Sequence, residues 1–513
     1  MEIQSSSFPI LACSIFFTLM VFQILKRSKS TSKRPPGPWK LPLIGNLHQI
    51  VGSDPHLALR DLAKNYGPLM YLQIGEVPTL VVSSAKYAKE VLKTHDIAFA
   101  SRPKLNVAKI LTFDFTNISF APYGEYWRNL RKISLMELFT KKRIQSFQST
   151  REQEMSNLID WVSSNAVGGS PINLTEKVFS SMYTVVSRVA LGGKSEEQDE
   201  FISVIKESSE LVGGFNIQDV FPSLKLLHLI SGVSSRLENI HQRSSNILQN
   251  IINKHIKAKT TPPKDEKYCE QAEDLVDVLL KFHKSDAEFQ LTVNNIKAII
   301  QDVFGAGSET SSSTVDWAMV EMIKDPRVMK KAQAEVRQVF DDTGSFDKAA
   351  IPELKYLKLI IKETLRLHPP VPLLLPRENS ELQVIDGYEI PAKTRVVVNA
   401  WAIGRDTEYW VDAERFYPER FLDSPIEFKG TNFEYIPFGA GRRICPGMMF
   451  GLANVEIMLS QLLYHFDWKL PDGTNLEDLN MTDSFGVTMR RKDDLYLIPT
   501  PIAPTESLRV CLD

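Results

Sequence analysis

The sequence predicts a mainly α-helical protein with a minor β component. The strongest observation is a long helical pattern from Asn294 to Lys324, and a second apolar-periodic segment runs from Glu353 to Leu367 until two prolines stop it. Runs of β-branched residues reach only strand length, at Leu80 to Ser83 and Arg395 to Ala400. Asp325 and Pro326 match the cap and first position of a further helix. Helices therefore dominate the predicted fold.

Composition excludes several classes of protein. The 513 residues carry 60 Lys plus Arg against 62 Asp plus Glu, a net charge of -2, without the basic excess of nucleic-acid-binding modules. Hydrophobic residues at 43% and charged ones at 24% are typical of a globular chain. Four scattered cysteines without a CxxC pair argue against a disulfide framework or a structural zinc site. At about 150 residues per domain, the length suggests about three domains or one large enzyme fold.

The first 34 residues differ from the rest. Residues 8–25 carry no charge, and five basic residues follow between Lys26 and Arg34. The run approaches the roughly 20 residues that span a bilayer, and by the positive-inside rule the bulk of the chain stays in the cytosol. We therefore expect an uncleaved transmembrane anchor with a basic stop segment in residues 1–34. A cleaved signal peptide or a buried apolar helix is the alternative interpretation.

A proline-rich stretch, Pro35 to Pro38, follows the basic segment and cannot continue a helix. We interpret it as a stiff hinge at the start of a single domain, residues 35–513. Residues 259–273 are polar, contain two prolines and predict a surface loop.

The most informative segment is a glycine-rich loop from Phe438 to Gly447 that delivers Cys445 to the start of an apolar helix ending at His465. At a helix N-terminus, the dipole and the free amides favour thiolate over thiol, so the sulfur suits a nucleophile or a metal ligand. The glycines let the backbone approach a large flat group, and Arg443 can face a carboxylate of that group. The alternative is an inert cysteine beside a tight turn.

Phe438, Gly441, Arg443, Cys445 and Gly447 match the pattern FxxGxRxCxG. In this loop the chain resembles the cytochrome P-450 haem-thiolate monooxygenases. The resemblance implies that Cys445 is the axial ligand of the iron of haem b, that Phe438 packs near the thiolate and that Arg443 contacts a haem propionate. It also implies the family's fold, a large helical domain with small β-sheets around a buried haem.

Glu363 and Arg366 stand three residues apart on one helical face, where they can pair. Such a pair is by itself an ordinary surface interaction. Pro418-Glu-Arg-Phe supplies a second arginine, Arg420, and the resemblance implies that the three residues form a structural triad behind the haem.

Glu309 and Thr310 lie in the middle of the long helix, beside glycines at 305 and 307 that favour a local distortion. A flexible helix with a back-bonded threonine is the simpler explanation. The resemblance implies that this acid and alcohol are catalytic and relay protons through water.

Trp127 and Arg131 stand four apart, and packing of arginine on indole would explain them equally well. By resemblance both reach a haem propionate, and Arg377 makes a third such contact.

The whole chain is similar to plant microsomal, A-type members of the family, and most similar to terpenoid oxidases. This implies a monooxygenase in the endoplasmic reticulum membrane that inserts one oxygen atom of O2 into a C–H bond of a sesquiterpenoid or diterpenoid. NADPH supplies electrons through a flavoprotein reductase. The alternatives are an indole alkaloid hydroxylase, a reductase-independent isomerase or dehydratase, and a haem-binding protein without catalysis.

Two surfaces follow by family position. An apolar substrate pocket would use Phe113, Phe115, Phe304, Ala306, Val371, Leu374 and Phe485, although each could equally be core. A basic face for the reductase would use Arg128, Lys132, Lys141, Lys142, Arg143 and Arg442, although lysine runs are often only solvated.

Overall fold

The computed structural model describes residues 14, 18, 33–166, 168–193, 197–212, 216–224, 232–260, 273–284, 289–341, 346–484 and 486–502. Within these ranges no helix is both long enough and apolar enough to cross a membrane. The predicted anchor lies outside the described residues except for Ser14 and Thr18. Phe485 and most of the predicted loop at 259–273 also lie outside them.

Helices form most of the described chain, in agreement with the predicted class. In chain order they are α1 (Pro55–Tyr66), α2 (Ala85–Lys89), α3 (Asn106–Leu111), α4 (Glu125–Ile133), α5 (Lys141–Ser146), α6 (Gln148–Asn165), α7 (Leu174–Leu191), α8 (Gln198–Leu211), α9 (Ile217–Val220), α10 (Val233–Thr260), α11 (Leu275–Lys284), α12 (Val293–Lys324), α13 (Pro326–Asp341), α14 (Lys355–Leu367), α15 (Ala400–Ile403) and α16 (Met448–His465). Short π-helical turns cover Glu90–Thr94 and Ser134–Leu138. Short 3-10 turns cover Leu47–Gln49, Lys348–Glu353, Pro418–Phe421, Gly441–Arg443 and Leu476–Asp478.

The strands form small sheets. They are β1 (Leu69–Ile74), β2 (Val77–Val82), β3 (Ile172–Asn173), β4 (Arg377–Glu378), β5 (Gln383–Ile385), β6 (Tyr388–Ile390), β7 (Arg395–Val398), β8 (Phe466–Lys469), β9 (Asp483–Ser484), β10 (Arg490–Arg491) and β11 (Tyr496–Pro501). One sheet has the order β1-β2-β7-β4, and smaller ones pair β3-β11-β8, β9 with β10, and β5 with β6. The two strands predicted from β-branched runs, β2 and β7, are parallel neighbours that pair Leu80 with Val396.

The long predicted helix is confirmed as α12, which begins one residue earlier than expected. The Thr292 hydroxyl accepts from the Asn295 amide N–H, and the Asn295 side chain accepts from the Thr292 N–H, so both residues cap the first turn. At about 1.5 Å per residue, its 32 residues span nearly 50 Å. The helix ends where Asp325 caps α13, as predicted.

The core lies on two sides of α12. On one side Trp317 packs with α6, α7, α13, α14 and α16, and on the other Phe304 packs with α7, α8, α10 and α11. Because α12 separates two apolar clusters, most of its side chains are buried. Near its centre, Ala306 is the exposed position.

Candidate active site

The predicted cysteine loop closes on itself just before α16. The backbone N–H of Cys445 donates to the Phe438 carbonyl oxygen at 3.0 Å, across the 3-10 turn Gly441–Arg443. The Phe438 ring is half-buried and packs edge-on against Phe428, with ring centroids 5.5 Å apart. The loop therefore holds Cys445 three residues before Met448, where α16 begins.

Gly441 is the position in this loop where only glycine fits. Its φ of +68° lies in the left-handed region, and a Cβ there would collide with the Leu92 carbonyl oxygen and press on the Asp96 carboxylate. Asp96 fixes the loop by accepting from the Arg442 backbone N–H at 3.0 Å. Sequence reasoning did not identify Asp96, which lies 346 residues from its partner.

Cys445 is exposed, and its sulfur is influenced by groups of two helices. Burial raises the pKa of its thiol and Asp302 adds to the rise, whereas the Gly447 N–H and the charge of Arg131 oppose it. Arg131 belongs to α4 and Asp302 to α12. The thiolate expected at this position stays a prediction.

Arg443 is buried, and each of its hydrogen bonds goes to a backbone carbonyl. It donates to the oxygens of Ala100 at 2.7 Å, Ile118 at 3.3 Å and Ala121 at 2.5 Å. Its guanidinium carbon lies 4.2 Å from the ring centroid of Trp127, whose indole N–H donates to Ile118. Burial, and then the neighbouring Arg377 and Arg131, lower the pKa of Arg443 to about 9.

Two more arginines lie close to Arg443. Arg377 is buried, donates to Asp96 at 3.3 Å and to the Ala440 carbonyl at 2.8 Å, and burial lowers its pKa to about 10. Arg102 is buried and donates to three backbone carbonyls, and burial, Arg443 and Arg377 lower its pKa. Sequence reasoning missed Arg102, because nothing local distinguishes it from any other arginine.

These residues fit the haem that the resemblance implies. Four cationic side chains lie near one another, those of Arg102, Arg131, Arg377 and Arg443. Burial lowers the pKa of all four, and neighbouring arginines lower the pKa of Arg102 and Arg443 further. Buried like charges are costly, so a dianionic group beside them stabilises the fold. Haem presents two propionates and a flat apolar ring, and the exposed Cys445 would supply a metal ligand for its iron.

The three predicted triad residues lie together in the core. The Arg366 guanidinium donates two bonds of 2.8 Å to the Glu363 carboxylate, and Arg420 donates a third of 2.9 Å. Neither side chain of the Glu363–Arg366 pair is exposed to solvent. Arg366 also donates to the carbonyls of Gly404 and Ala413, so the pair ties α14 to the segment that precedes the cysteine loop.

The structure keeps α12 helical through the stretch around Thr310. The Thr310 hydroxyl donates to the Ala306 carbonyl at 2.7 Å, which is the back-bond of the simpler explanation. The predicted local distortion stays a prediction. Ala306 is exposed although it lies mid-helix, so its small side chain leaves open space beside α12.

Glu309 is almost fully buried and forms an ion pair with Arg490 of β10. Burial raises the pKa of Glu309, and Arg490 opposes the rise. The second carboxylate oxygen, Oε1, is buried and has no hydrogen-bond partner among the described residues. Sequence reasoning missed Arg490.

A cavity of about 170 Å³ lies along this face of α12, and we call it the reaction cavity. Ala306, Glu309, Thr310 and Val371 line it, as the family position of the pocket and the relay predicts. Further lining residues are Leu111, Thr112, Asn117, Ser119, Phe120, Ile205, Ser208, Ser209, Val212, Ala298, Gln301, Asp302, Gly305, Leu375, Val487 and Thr488.

Four predicted pocket residues lie elsewhere. Phe304 is fully buried against Phe201, with ring centroids 4.6 Å apart, because it faces away from the row formed by residues 302, 305, 306 and 309. Phe113 packs on His241 at 4.6 Å, and Phe115 and Leu374 pack in other apolar clusters. None of the four lines the reaction cavity.

Asp302 is a polar member of the reaction cavity that sequence reasoning did not identify. Its carboxylate accepts from the Ser119 N–H at 2.9 Å and the Ser119 hydroxyl at 2.6 Å. Burial raises the pKa of Asp302 despite these bonds. The side chain thereby fixes the segment around Ser119 against α12.

Comparisons with known proteins agree on one family. The family model described as Cytochrome P450 matches residues 35–498. The chain is 52% identical over 497 residues to premnaspirodiene oxygenase of Hyoscyamus muticus, covering 96% of this chain and 98% of that protein. It is 49% identical over 484 residues to germacrene A hydroxylase of Barnadesia spinosa, covering 94% of this chain and 96% of that protein.

A third relative and a solved structure extend the comparison. Desmethyl-deoxy-podophyllotoxin synthase of Sinopodophyllum hexandrum is 51% identical over 505 residues, covering 98% of both chains. A zebra fish cytochrome P450 solved with abiraterone superimposes with a TM-score of 0.72 at 26% identity, covering 88% of this chain and 99% of that one.

Proposed function

The chain belongs to the cytochrome P450 family, and from that premise we propose that it hydroxylates a sesquiterpenoid or diterpenoid at the α12 cavity. Its class of reaction is that of the family, a monooxygenase that holds haem b and takes electrons from NADPH through a reductase. The observation that carries the substrate proposal is that relatives about half identical over nearly the whole chain are named for premnaspirodiene and germacrene A.

The haem, when bound, supplies the activation of dioxygen and the oxidation of the C–H bond. Cys445 would be its axial ligand, delivered by a loop that Asp96 and Gly441 hold in shape. The propionates would meet Arg131, Arg377 and Arg443 together with Trp127, as expected, and also Arg102. Phe438 would pack beside the sulfur.

The chain's own contribution to the reaction is to move protons and to place the substrate. The Thr310 hydroxyl lines the reaction cavity, where it would orient a water molecule. Glu309, next to it, would gain and lose a proton, since burial raises the pKa of this carboxyl while Arg490 opposes the rise. Ala306 and Val371 leave room beside these groups for an apolar substrate.

The walls of the reaction cavity support a lipophilic substrate that carries few polar groups. Leu111, Phe120, Ile205, Val371 and Leu375 provide apolar surface. The side chains of Gln301 and Asp302 are already occupied by hydrogen bonds to the protein. A terpene skeleton needs no further polar partner here.

Two other functions within the fold make different predictions. A rearranging or dehydrating enzyme would need no electrons and no proton relay, so the Glu309 and Thr310 pair argues against it. An indole alkaloid hydroxylase would use the same machinery and differ only in substrate. A haem protein without catalysis would not need the relay.

We further propose that residues 1–34 anchor the chain in the endoplasmic reticulum membrane and that residues 35–513 form one catalytic domain in the cytosol. Arg128, Lys132, Lys141 and Lys142 are exposed, which suits a docking face for the reductase.

The deciding experiment is product analysis after microsomes containing the chain and a plant reductase are fed premnaspirodiene, germacrene A, a diterpene hydrocarbon and an indole alkaloid. We expect an NADPH-dependent hydroxylated terpene and no product from Cys445→Ser, which should also lose the red-shifted band of the reduced carbonyl complex. Turnover of the alkaloid alone would reject the substrate class, and turnover without NADPH would support the rearranging enzyme.

A further inference from the structure

A charged pair separates two cavities beside α12. Glu309 lines the reaction cavity, whereas its partner Arg490 lines a second cavity of about 390 Å³. The Arg490 guanidinium donates to Oε2 of Glu309 and lies over the Phe179 ring, 4.6 Å from its centroid. The ion pair is therefore a boundary between the two spaces.

The second cavity, which we call the outer cavity, extends from the surface to α12. Besides Arg490, its charged lining residues are Glu176, Asp199, Lys206, Asp316, Arg491 and Asp494. Glu176, Asp199 and Asp494 are exposed, whereas Asp316 and Arg491 are buried at 2% and 8% exposure. The cavity thus has a charged rim in solvent and a polar floor on the helix.

The floor has the character of a hydrated space. The Tyr183 hydroxyl and Nη1 of Arg491 are buried without a hydrogen-bond partner among the described residues. Buried polar atoms of this kind are normally satisfied by water, and a cavity of this volume holds several molecules. Solvent protons therefore have a polar path as far as Arg490.

Glu309 sits at the inner end of this path. Oε2 is paired with Arg490, while Oε1 is buried and finds no hydrogen-bond partner in the part of the chain that the structure describes. The residue also lines the reaction cavity beside Thr310. A carboxylate held in this way can exchange a proton on either side of the pair after a rotation of its side chain.

We propose that Arg490 is a positioning residue that keeps Glu309 ionised at the end of the outer cavity, and that this cavity is the entry for the protons of the reaction. The inference rests on the proposed role of Glu309. A proton from water in the outer cavity binds the carboxylate and breaks its pair with Arg490. The acid then gives that proton to water beside Thr310, and the carboxylate pairs again. One proton enters and one leaves.

A purely structural pair, which would only fasten β10 to α12, makes a different prediction. Burial raises the pKa of Glu309 and Arg490 opposes that rise. Without the guanidinium, nothing opposes the effect of burial, so the pKa of Glu309 should rise further and its protonated fraction should increase. A structural pair would change stability but would not change proton delivery.

The first test measures protonation directly and does not depend on a substrate. Infrared difference spectra of the resting holoenzyme at neutral pH should show a new carboxylic acid C=O band in Arg490→Gln. The band should be missing from the wild type, from Arg490→Lys and from the double variant Glu309→Gln/Arg490→Gln. Lys492→Ala, an exposed neighbour outside the cavity, is the matched control. Absence of the band in Arg490→Gln overturns the proposal.

The second test measures proton delivery with reductase, NADPH and premnaspirodiene, or the best substrate of the panel. We expect Arg490→Gln to lower product formation about tenfold, to raise the peroxide formed per NADPH and to enlarge the solvent deuterium isotope effect. Arg490→Lys should restore all three, and Arg490→Gln should add nothing in the Glu309→Gln background.

The results separate two kinds of failure. If Glu309→Gln itself turns over normally, the proposed role of Glu309 is wrong. If Glu309→Gln is impaired while Arg490→Gln matches the wild type, or if the two effects multiply, the role assigned here to Arg490 is wrong.

Discussion

Glu363 and Arg366 form an ion pair in which two parallel hydrogen bonds of 2.8 Å join side chains that solvent does not reach. Arg420 adds a third donor, and the Tyr417 backbone N–H a fourth, both to Oε1. Removal of one partner from a buried ion pair leaves the other charge buried and uncompensated, which is costly.

Glu363→Gln should therefore lower the free energy of unfolding by about 3–5 kcal/mol, because two buried guanidinium groups lose their counter-charge. Denaturant unfolding measures the loss. Lys64→Ala is the matched control, since Lys64 pairs with Asp61 at the same three-residue spacing on an exposed helix face and should cost about 0–1 kcal/mol. Equal effects in the two variants would show that the buried pair does not stabilise the fold.

Gly441→Ala should prevent normal assembly of the cysteine loop. A Cβ at this left-handed position would collide with the Leu92 carbonyl and displace the Asp96 carboxylate. We expect haem content after purification to fall at least tenfold, read as the ratio of haem to protein absorbance. Gly473→Ala is the control, because Gly473 also has a positive φ but has open space around its Cβ position. Similar haem content in the two variants would contradict the steric argument.

The sequence predicts those parts of the site whose residues lie close together in the chain. Cys445 and its glycines, the Glu363–Arg366 spacing and the caps of α12 and α13 all lie within a few residues of one another, and each is found in the structure. Local patterns carry no information on partners that are distant in sequence. Asp96, Arg102 and Arg490 reach the site from 346, 273 and 181 residues away from the groups that they contact.

The helical period explains why Phe304 does not line the reaction cavity. Residues 302, 305, 306 and 309 share one face of α12, whereas Phe304 lies about 100° away from Gly305 around the helix. Apolar character alone could not tell a cavity wall from the core, because α12 has apolar neighbours on both sides.

Val371 lines the reaction cavity and Phe304 lies in the core, so substitutions of the two residues should have different effects. Val371→Phe should fill part of the reaction cavity and change the regiochemistry or the rate of product formation, with little loss of stability. Phe304→Leu should cost about 1 kcal/mol of stability through its contact with Phe201 and leave the product pattern unchanged. Gas chromatography of products and thermal unfolding distinguish them. An altered product pattern in Phe304→Leu would indicate that Phe304 contributes to the substrate pocket.

The pair of His255 and Asp274 predicts a pH dependence of stability. Burial lowers the pKa of His255, but the hydrogen bond of 2.8 Å and the charge of Asp274 raise it more, and Ile251 and Asp277 add to the rise. Its pKa in the folded chain therefore lies above the ordinary value of about 6.5. The contribution is fully present below that value and is lost as pH rises through the raised pKa.

Unfolding curves measured from about pH 6 to pH 9 should show this loss in the wild type. Asp274→Asn should be less stable at the acidic end and should lose this slope, because the burial that lowers the pKa of His255 is then no longer outweighed by the charge of Asp274. His48→Gln, at an exposed histidine, should leave the profile unchanged. A wild-type slope that persists in Asp274→Asn would assign it to another group.

The exposed basic residues of α4 and α5 give the last prediction. Lys141 and Lys142 begin α5, and Arg128 and Lys132 lie on the outer face of α4, whose buried face carries Trp127. A reductase with an acidic surface would be attracted here from a distance, and salt would screen that attraction.

The double variant Lys141→Glu/Lys142→Glu should raise the apparent KM for reductase about tenfold at low salt, with a smaller difference at high salt. Turnover at saturating reductase should change little. Lys330→Glu, an exposed lysine on α13, is the control for net charge. An unchanged KM and an unchanged salt dependence in the double variant would indicate that the reductase docks on another surface.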